Sequence, residues 1–387
     1  MSDDLARVLD AAPASVDGAE FLRRPVVLYG GGRLGQLAAR LLTNAGVPIA
    51  AVVDQNARSL ESKFAVPVLT VDEAAARIGR DCTVFDCVYK VAPGIAESAL
   101  GPHGFKNVRV AYDLLSSIDA LHFTNGWQSG ELTDEDREGI REVYGRLSDD
   151  LSRASYLYAL SFRIGRETFT PPGFSLIAEE DKYWNPLTRR AWLGGTAFVD
   201  AGAFDLFFTL QALDPAMNPA RPSAIVASEP DPESFARVER LVQELSCDER
   251  ALIRLSDVAI AEHGGEAPFI CGNDLASRLV APGETPAAPV SLRQVQTISL
   301  DELTRDLSRV GYLKLHVEGE ELRCLRGATQ CLRGHRPILA VNSTHTRDGL
   351  WEIARFVMAH TERYRYFFRA YAFYGDGLTF YAIPEWP

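Results

Sequence analysis

The sequence is short of positive charge: 40 Lys and Arg residues stand against 52 Asp and Glu residues, a formal net charge of −12. Because such a chain is a poor match for a phosphate backbone, nucleic acid is not expected as its main partner. The sequence also lacks an apolar run near the roughly 20 residues that span a bilayer. Its first residues are acidic, where a secretory signal would be basic and then apolar. No membrane segment is expected.

Cysteine is scarce and scattered, with six residues and no CxxC pair in 387 positions. This usage predicts reduced thiols and a cytoplasmic location. What the chain does contain is typical of a packed globular protein, with 47% hydrophobic and 24% charged residues. Its length favours two domains and a connector.

Short apolar strands alternate with helical segments between residues 21 and 118. We place these strands at 25–29, 49–54, 66–69, 83–85 and 108–111. This order predicts a first domain with a parallel sheet and right-handed crossovers, that is, a three-layer α/β fold.

The first of these strands ends in a glycine-rich loop. Gly30, Gly32 and Gly35 have the spacing of a dinucleotide-binding loop, and Asp54 ends the next strand, where an acid would meet a ribose. The pattern indicates a nucleotide or a nucleotide-sugar in this domain. Alternatively, the glycines only allow the helix to pack closely on the strand, and no ligand binds.

A helical connector is predicted for residues 119–190. Thr133-Asp134-Glu135-Asp136 resembles a capping box, and apolar residues follow at helical spacing with a break near Ser148 and Asp149. The opposite side of the segment is polar, as in a helix that bridges two lobes. These helices can pack within the chain or against a second copy, so a homodimer stays open.

Residues 191–387 form the second predicted domain. Five strands with intervening helical segments precede two aromatic strands joined by Tyr374-Gly375-Asp376-Gly377. This order predicts a seven-stranded sheet with a C-terminal hairpin whose last strand inserts antiparallel.

Asp200 and Gly202 lie at the end of the first strand of this sheet and Glu229 at the end of the next. An acid, a glycine and a second acid fit an adenosine ligand without a pyrophosphate, which indicates S-adenosylmethionine; alternatively, Glu229 only caps the next helix.

Several motifs of this second domain carry a family resemblance. They are Val199-Asp200-Ala201-Gly202-Ala203, Glu229-Pro230-Asp231-Pro232, Ile298-Ser299-Leu300-Asp301-Glu302-Leu303, Lys314-x-x-x-Glu318-Gly319-x-Glu321, Leu325-Arg326-Gly327-Ala328 and Arg336-Pro337-Ile338-Leu339-Ala340-Val341. In this order they resemble the FkbM family of S-adenosylmethionine-dependent methyltransferases. The first domain resembles the Rossmann-like module often fused ahead of such enzymes, and is similar also to the nucleotide-sugar-binding domain of sugar acyltransferases.

The resemblance implies a class I methyltransferase fold for the second domain, and so two Rossmann-like domains in all. It also implies methyl transfer to a hydroxyl oxygen of a sugar or secondary metabolite, as in natural product biosynthesis. The matching cofactor residues are Asp200, Gly202 and Ala203 in the first motif, Glu229 as the ribose acid, and Asp257 with Val258 near the adenine.

The chain departs from the family pattern at two positions. Leu206 stands where a second glycine is usual, and His316 where aspartate is common. Either a leucine there crowds the cofactor, or the loop is remodelled around it. The first case leaves a second hypothesis: a non-catalytic or partner-dependent binding protein with a degraded cofactor loop. A third and weaker one makes the first domain an NAD-dependent oxidoreductase.

Histidine is the side chain best suited to take a proton from an alcohol near neutral pH. His316 and His345 follow two neighbouring strands at the edge where ligands bind, and Glu318 lies two residues beyond His316. We therefore expect His316 or His345 as the general base with Glu318 orienting it. A metal held by these three residues and Asp348 is an alternative, but no metal is expected because no tight ligand spacing is present. Lys314, inside a strand, can pair with a carboxylate.

Overall fold

The computed structural model describes residues 3–13, 18–117, 130–167, 169–218, 220–272, 277–286 and 290–385. None of the helices in these ranges is both long and apolar enough to cross a membrane. The six cysteines are all free thiols. The expected boundary at residues 118 and 119 lies outside the described residues.

The first part of the chain builds a parallel sheet. Its strands are β1 (Val26–Tyr29), β2 (Ile49–Val53), β3 (Val68–Leu69), β4 (Thr83–Asp86) and β5 (Val108–Val110). Within the described residues they pair in the order β3-β2-β1-β4-β5, with every pair parallel. The surrounding helices are α1 (Asp3–Asp10), α2 (Gly18–Phe21), α3 (Arg33–Asn44), α4 (Ala57–Leu60), α5 (Val71–Arg77), α6 (Ile95–Leu100) and α7 (Ala111–Ser117). This confirms the predicted doubly wound α/β fold.

Along the chain, the described residues between β5 and β6 form three further α-helices after α7. They are α8 (Asp134–Arg146), α9 (Asp150–Gly165) and α10 (Pro186–Ala191). The capping box before α8 is complete although its last member is aspartate, since Asp136 Oδ2 accepts from Thr133 N at 2.9 Å and Thr133 Oγ1 accepts from Asp136 N at 3.1 Å. The expectation of a polar outer face is wrong for α9, which is buried nearly all round from Ser152 to Ile164. It packs against the aromatic strands near the C-terminus.

The second part of the chain builds the predicted seven-stranded sheet. Its strands are β6 (Ala197–Ala201), β7 (Ala224–Ser228), β8 (Ile253–Ser256), β13 (Val310–Leu315), β14 (Ile338–Asn342), β15 (Tyr364–Ala370) and β16 (Leu378–Pro384). In the described chain the order is β15-β16-β14-β13-β6-β7-β8. Strand β16 is antiparallel to both of its neighbours, which confirms the C-terminal hairpin and its inserted last strand. The helices are α11 (Phe207–Leu213), α12 (Pro232–Glu244), α13 (Cys247–Arg250), α14 (Leu300–Leu303), α15 (Glu321–Arg326), α16 (Thr329–His335) and α17 (Gly349–His360).

A third sheet interrupts this domain between β8 and β13, and the sequence reasoning did not predict it. Its strands are β9 (Ala259–Ala261), β10 (Gly265–Cys271), β11 (Arg278–Leu279) and β12 (Ser291–Ser299). They pair in the order β11-β10-β12-β9 in the described residues. Exposed polar residues dominate β12, so its buried pattern is too weak to mark a strand.

The two large sheets are joined through the turn between β15 and β16. Tyr112 of α7 donates from its hydroxyl to Asp376 Oδ2 at 2.7 Å. The Phe373 amide donates to the Tyr89 carbonyl at 3.0 Å. A buried hydrogen bond of 3.2 Å runs from the Tyr374 hydroxyl to Asp86 Oδ2, at the end of β4. The first domain therefore rests on the side of the second domain that carries its C-terminal hairpin.

Candidate active site

A cavity of about 400 Å³ lies at the carboxyl ends of β6, β7, β13 and β14, where ligands bind in open α/β sheets. Both domains contribute to its wall. The first domain supplies Arg33, Leu34, Leu37, Tyr89 and Tyr112. The second supplies, among others, Gly202, Ala203, Glu229, His316, Glu318 and His345. These six residues, three predicted for the cofactor and three for the base, thus share one cavity.

Gly202, after β6, allows two strands to meet closely beneath the cavity. Its φ is +80°, and a Cβ atom there would lie 2.0 Å from the His316 carbonyl oxygen. No other residue fits without moving the backbone. The same strand end is anchored by Lys314, whose Nζ donates to Asp200 Oδ1 at 2.6 Å and to the Gly202 carbonyl at 2.5 Å. Lys314 thus pairs with a carboxylate.

This pairing changes the role expected for Asp200. Its other carboxylate oxygen accepts from the Thr209 hydroxyl, and the side chain is 1% exposed. The carboxylate is therefore occupied within the protein and does not line the cavity. Asp200 fixes the loop after β6 rather than receiving the ammonium of a ligand.

Glu229, after β7, does line the cavity. Its oxygens accept from the amides of Phe204 and Asp231 at 2.8 and 2.9 Å. Burial raises its pKa to about 7, and these two amides partly offset that rise. Capping of α12 falls instead to Asp231, which accepts from Glu233 N and Ser234 N. Each Glu229 oxygen keeps a lone pair for a further donor, such as a ribose hydroxyl.

Leu206 has a backbone φ of +58°, in the left-handed region that glycine adopts freely. Its side chain is 0% exposed and packs with Ala203, Ala227, Val238 and Val242 below the loop. It does not line the cavity. Leu206 therefore does not crowd the cavity, because the loop turns this side chain into the core. Phe204, with φ +50°, lines the cavity together with Asp205 and Phe207 of the same segment.

Replacing Leu206 with glycine is expected to destabilise the protein without tightening ligand binding. Relief of the left-handed conformation gains about 1 kcal/mol, whereas loss of a buried leucine costs about 3–5 kcal/mol. The net loss in unfolding free energy is then about 2–4 kcal/mol. Urea unfolding of the wild type, Leu206→Gly and Leu206→Ala measures it, with the alanine variant lacking the backbone relief. Tighter binding of S-adenosylhomocysteine by the glycine variant would contradict this account.

An apolar recess adjoins Glu229 and takes its residues from the third sheet. Ile260, Phe269 and Leu279 are buried and line the cavity. Asp257 and Val258, expected near an adenine, do not line it, although Ala259 directly after them does. The lining formed by these residues is apolar and begins at Ala259, one residue beyond the predicted position.

His316, after β13, is held at both ring nitrogens. Nδ1 lies 2.8 Å from the Tyr183 hydroxyl, and Nε2 lies 3.1 Å from Asn342 Nδ2. Since Asn342 Oδ1 accepts from Thr344, its Nδ2 is the donor to Nε2. Burial lowers the pKa of His316 well below its ordinary value, and the positive charge of Lys182 adds to this. His316 is therefore neutral, with an accepting nitrogen toward the cavity.

His345 lies beside it in a different electrostatic state. Its Nδ1 is 2.6 Å from Glu321 Oε1, and its Nε2 is 3.4 Å from Glu318 Oε1. Burial opposes a charge on this ring, but Glu318 and Glu321 outweigh it and raise the pKa of His345 to about 9. The two carboxylates therefore favour the protonated form of His345, whose Nε2 also lies 3.2 Å from Asn342 Nδ2. Glu321, the last residue of the Lys-x-x-x-Glu-Gly-x-Glu motif, was not among the predicted site residues.

Glu318 faces both histidines, with its Oε1 3.3 Å from His316 Nε2. Burial raises its pKa to about 7, and its backbone has a φ of +51°. Such left-handed conformations concentrate at functional positions. Ligand atoms of His316, Glu318 and His345 lie within 4.8 Å of one another, a group that can hold a divalent cation. Asp348 is not a member of this group among the described residues.

In the glycine-rich loop of the first domain, the predicted ribose acid Asp54 is occupied by backbone amides. Asp54 Oδ2 accepts from Gly31 N at 2.8 Å and Oδ1 from Asn56 N at 2.7 Å. A Cβ at Gly35 would lie 2.0 Å from the Gly30 carbonyl, so this glycine serves the contact of helix and strand. Gly30, Gly32, Gly35 and Asp54 do not line the shared cavity, but Arg33 and Leu34 at the start of α3 do.

Comparison with known proteins agrees with this geometry. Residues 216–373 match the family model described as the methyltransferase FkbM domain. This part of the chain is therefore similar to the FkbM methyltransferase domain. Its whole fold is similar to the crystal structure of a methyltransferase FkbM from Methylobacillus flagellatus KT, with 17% identity, a TM-score of 0.66 and 98% of each chain covered. No curated protein sequence matches the chain. The fold of the residues ahead of this match is thus similar to that of the Methylobacillus protein.

Proposed function

We propose that the protein is an S-adenosylmethionine-dependent O-methyltransferase that acts on a hydroxyl of a sugar or secondary metabolite. One observation carries this proposal: Glu229 and His316 line one cavity from opposite sides of Gly202. Because β7 and β13 flank β6, Glu229, which we propose as the ribose acid, and His316, which we propose as the proton acceptor, lie on opposite sides of the central strand. This is the arrangement that a methyl donor and a hydroxyl acceptor require.

The cofactor fits the residues beside β7. Glu229 offers carboxylate oxygens to the ribose, Ile260 and Phe269 offer an apolar surface to the adenine, and Gly202 lines the cavity between β6 and β13. When bound, S-adenosylmethionine supplies a methyl group on a sulfonium, and the acceptor oxygen takes that methyl while the sulfur keeps the electron pair.

His316 is the general base that we favour over His345. The acceptor hydroxyl replaces the Asn342 amide as the donor to Nε2, and its proton passes to that nitrogen. Tyr183 holds Nδ1 and keeps the ring in position. The protonated form of His345, which Glu318 and Glu321 favour, is a poor proton acceptor and offsets part of the negative charge of these two carboxylates. The degraded-loop alternative depended on Leu206, and that side chain faces the core.

Calorimetric titration with S-adenosylmethionine and S-adenosylhomocysteine tests the cofactor assignment. We expect a dissociation constant in the micromolar range, about −8 kcal/mol, and its loss in Glu229→Ala. Production of S-adenosylhomocysteine with a panel of sugars and polyketides then tests transfer. Absence of binding at millimolar ligand would contradict an independent methyltransferase.

Affinity for S-adenosylhomocysteine is expected to rise with pH because Glu229 accepts best as a carboxylate. With its pKa at about 7, most of this group is protonated at pH 6 and ionised at pH 8. The dissociation constant should therefore fall by up to about tenfold between these two conditions. Calorimetry at several pH values measures the effect. Glu229→Gln is the matched control: it should bind more weakly with a flat profile, and a slope equal to that of the wild type would refute the assignment.

A further inference from the structure

The half of the cavity beyond Gly202 is built by both domains. The strand order places Glu229 on the β7 side of β6, and His316 and Asn342 on the β13 and β14 side. On this second side the wall continues through Asp376, in the turn before β16, to Tyr112, which is bonded to it at 2.7 Å. The first domain thus closes the half that remains when the cofactor occupies the Glu229 half. We call this remaining half, lined by His316, Asn342, Asp376 and Tyr112, the acceptor half.

Lys182 projects into this acceptor half from the segment before α10. It is 5% exposed and lines the cavity, and its Nζ lies 5.6 and 6.0 Å from the ring centres of Tyr183 and Tyr371. Among the described residues its Nζ has neither a hydrogen-bond partner nor an ion pair. A buried ammonium without a hydrogen-bonding partner is costly, so the position is unfavourable until an acceptor group reaches it.

The other cations of the cavity are already paired within the protein. Lys314 is bound to Asp200 at 2.6 Å, and Arg278 is bound to Glu284 at 2.6 Å. Arg33 lies 3.6 Å from Asp205 and is largely exposed. Lys182 therefore differs from Lys314 and Arg278 in its pairing and from Arg33 in its burial.

The nearby carboxylates do not take this role. Asp376 accepts from the hydroxyls of Tyr112 and Thr344 and from the Gly377 amide. Glu318 faces His316 and His345 at 3.3 and 3.4 Å. Both acids thus contact other groups of the protein, and the ammonium of Lys182 faces the cavity.

We propose that the methyl acceptor carries an anionic oxygen group, a carboxylate or a phosphate ester, which binds Lys182 between the two domains. This inference rests on the proposed methyltransferase function and names the class of its acceptor. With the anionic group at Lys182, a hydroxyl of the same molecule can face His316. Tyr89 of the first domain and Tyr371 of the second are the aromatic surfaces of this half, and sugar rings pack against such surfaces.

Three hexose probes test the proposal: glucose, glucuronic acid and glucose 6-phosphate. Their affinities are measured by calorimetry on the full chain saturated with S-adenosylhomocysteine. We expect at least one anionic probe to bind at least tenfold more tightly than glucose, and the two anionic probes separate a carboxylate site from a phosphate site. Lys182→Met should remove this preference, Lys182→Arg should retain part of it, and Lys90→Met, a half-exposed lysine of the first domain, should retain it fully.

Equal binding of the three probes, including no binding of any, would overturn the proposal, and so would a preference that persists in Lys182→Met. Binding of S-adenosylhomocysteine is measured first on each variant. Its absence in the wild type would contradict the methyltransferase proposal, while the probe preference, measured without it, would still report on Lys182. Unchanged binding of S-adenosylhomocysteine by Lys182→Met also shows that this variant is folded.

Discussion

Replacing His316 with glutamine is expected to lower kcat by about 10²- to 10⁴-fold, the usual contribution of a positioned general base. His316 is neutral, since burial lowers its pKa, and its Nε2 faces the cavity. Glutamine keeps a polar group there but cannot accept a proton. The rate of S-adenosylhomocysteine production measures the effect with any acceptor that supports turnover, and affinity for S-adenosylhomocysteine should change less than about twofold.

Tyr183→Phe is the matched variant for this experiment. It removes the hydroxyl that lies 2.8 Å from His316 Nδ1 and leaves the imidazole in place. Because Tyr183 acts through His316, we expect a loss in kcat of roughly tenfold and a shifted pH profile. Activity of His316→Gln within tenfold of the wild type would exclude His316 as the base. A second result would also exclude His316 as the base: loss of wild-type activity in EDTA with recovery on adding a divalent cation. His316, Glu318 and His345 would then be the ligands of that cation.

Lys314→Met is expected to cause the largest loss of stability among single substitutions in the site, about 3–5 kcal/mol. The substitution removes the cation that binds Asp200 and leaves a carboxylate that is 1% exposed without its counter-charge. The pair also ties the ends of β6 and β13 together, because Nζ donates to the Gly202 carbonyl. Urea unfolding measures the loss, and cofactor affinity should fall with it as the loop loses its anchor.

A double substitution separates the charge from the packing. In Lys314→Met with Asp200→Asn, both charges are absent and the buried carboxylate is no longer stranded. We expect the double variant to be more stable than Lys314→Met alone by about 1–3 kcal/mol. Additive losses from the two single substitutions would show that the pair has no energetic coupling. Thr188→Val, buried in α10 away from this pair, serves as the control for general loss of a buried hydrogen bond.

Much of the fold could be predicted because each βα unit leaves a local trace. The apolar runs before Gly30 and before Gly202 are strands within a residue or two, and the final hairpin follows from its aromatic alternation and its glycine turn. The third sheet left no such trace, since β12 is exposed along much of its length. The predicted polar face of α9 is wrong because the serines and tyrosines of this helix, which are polar residues, are buried.

The site was predictable only where a residue lies at the end of a strand. His316, Glu229 and Gly202 meet this condition, and all three line the cavity. Lys182 and Tyr183 come from the connector, 130 residues before the strand that they serve, so no local pattern indicates them. Glu321 was visible as a motif member, but its contact with His345 depends on how α15 meets the loop after β14.

The turn that joins Asp376 to Tyr112 has a consequence for how such proteins diversify. The acceptor half of the cavity is completed by a domain encoded ahead of the cofactor half, while Gly202 and Glu229 lie entirely within the later segment. Recombination at the connector would therefore exchange part of the acceptor wall, together with Arg33 beside Asp205, and leave Gly202 and Glu229 unchanged. Substrate range and donor use can then evolve on separate segments of one gene.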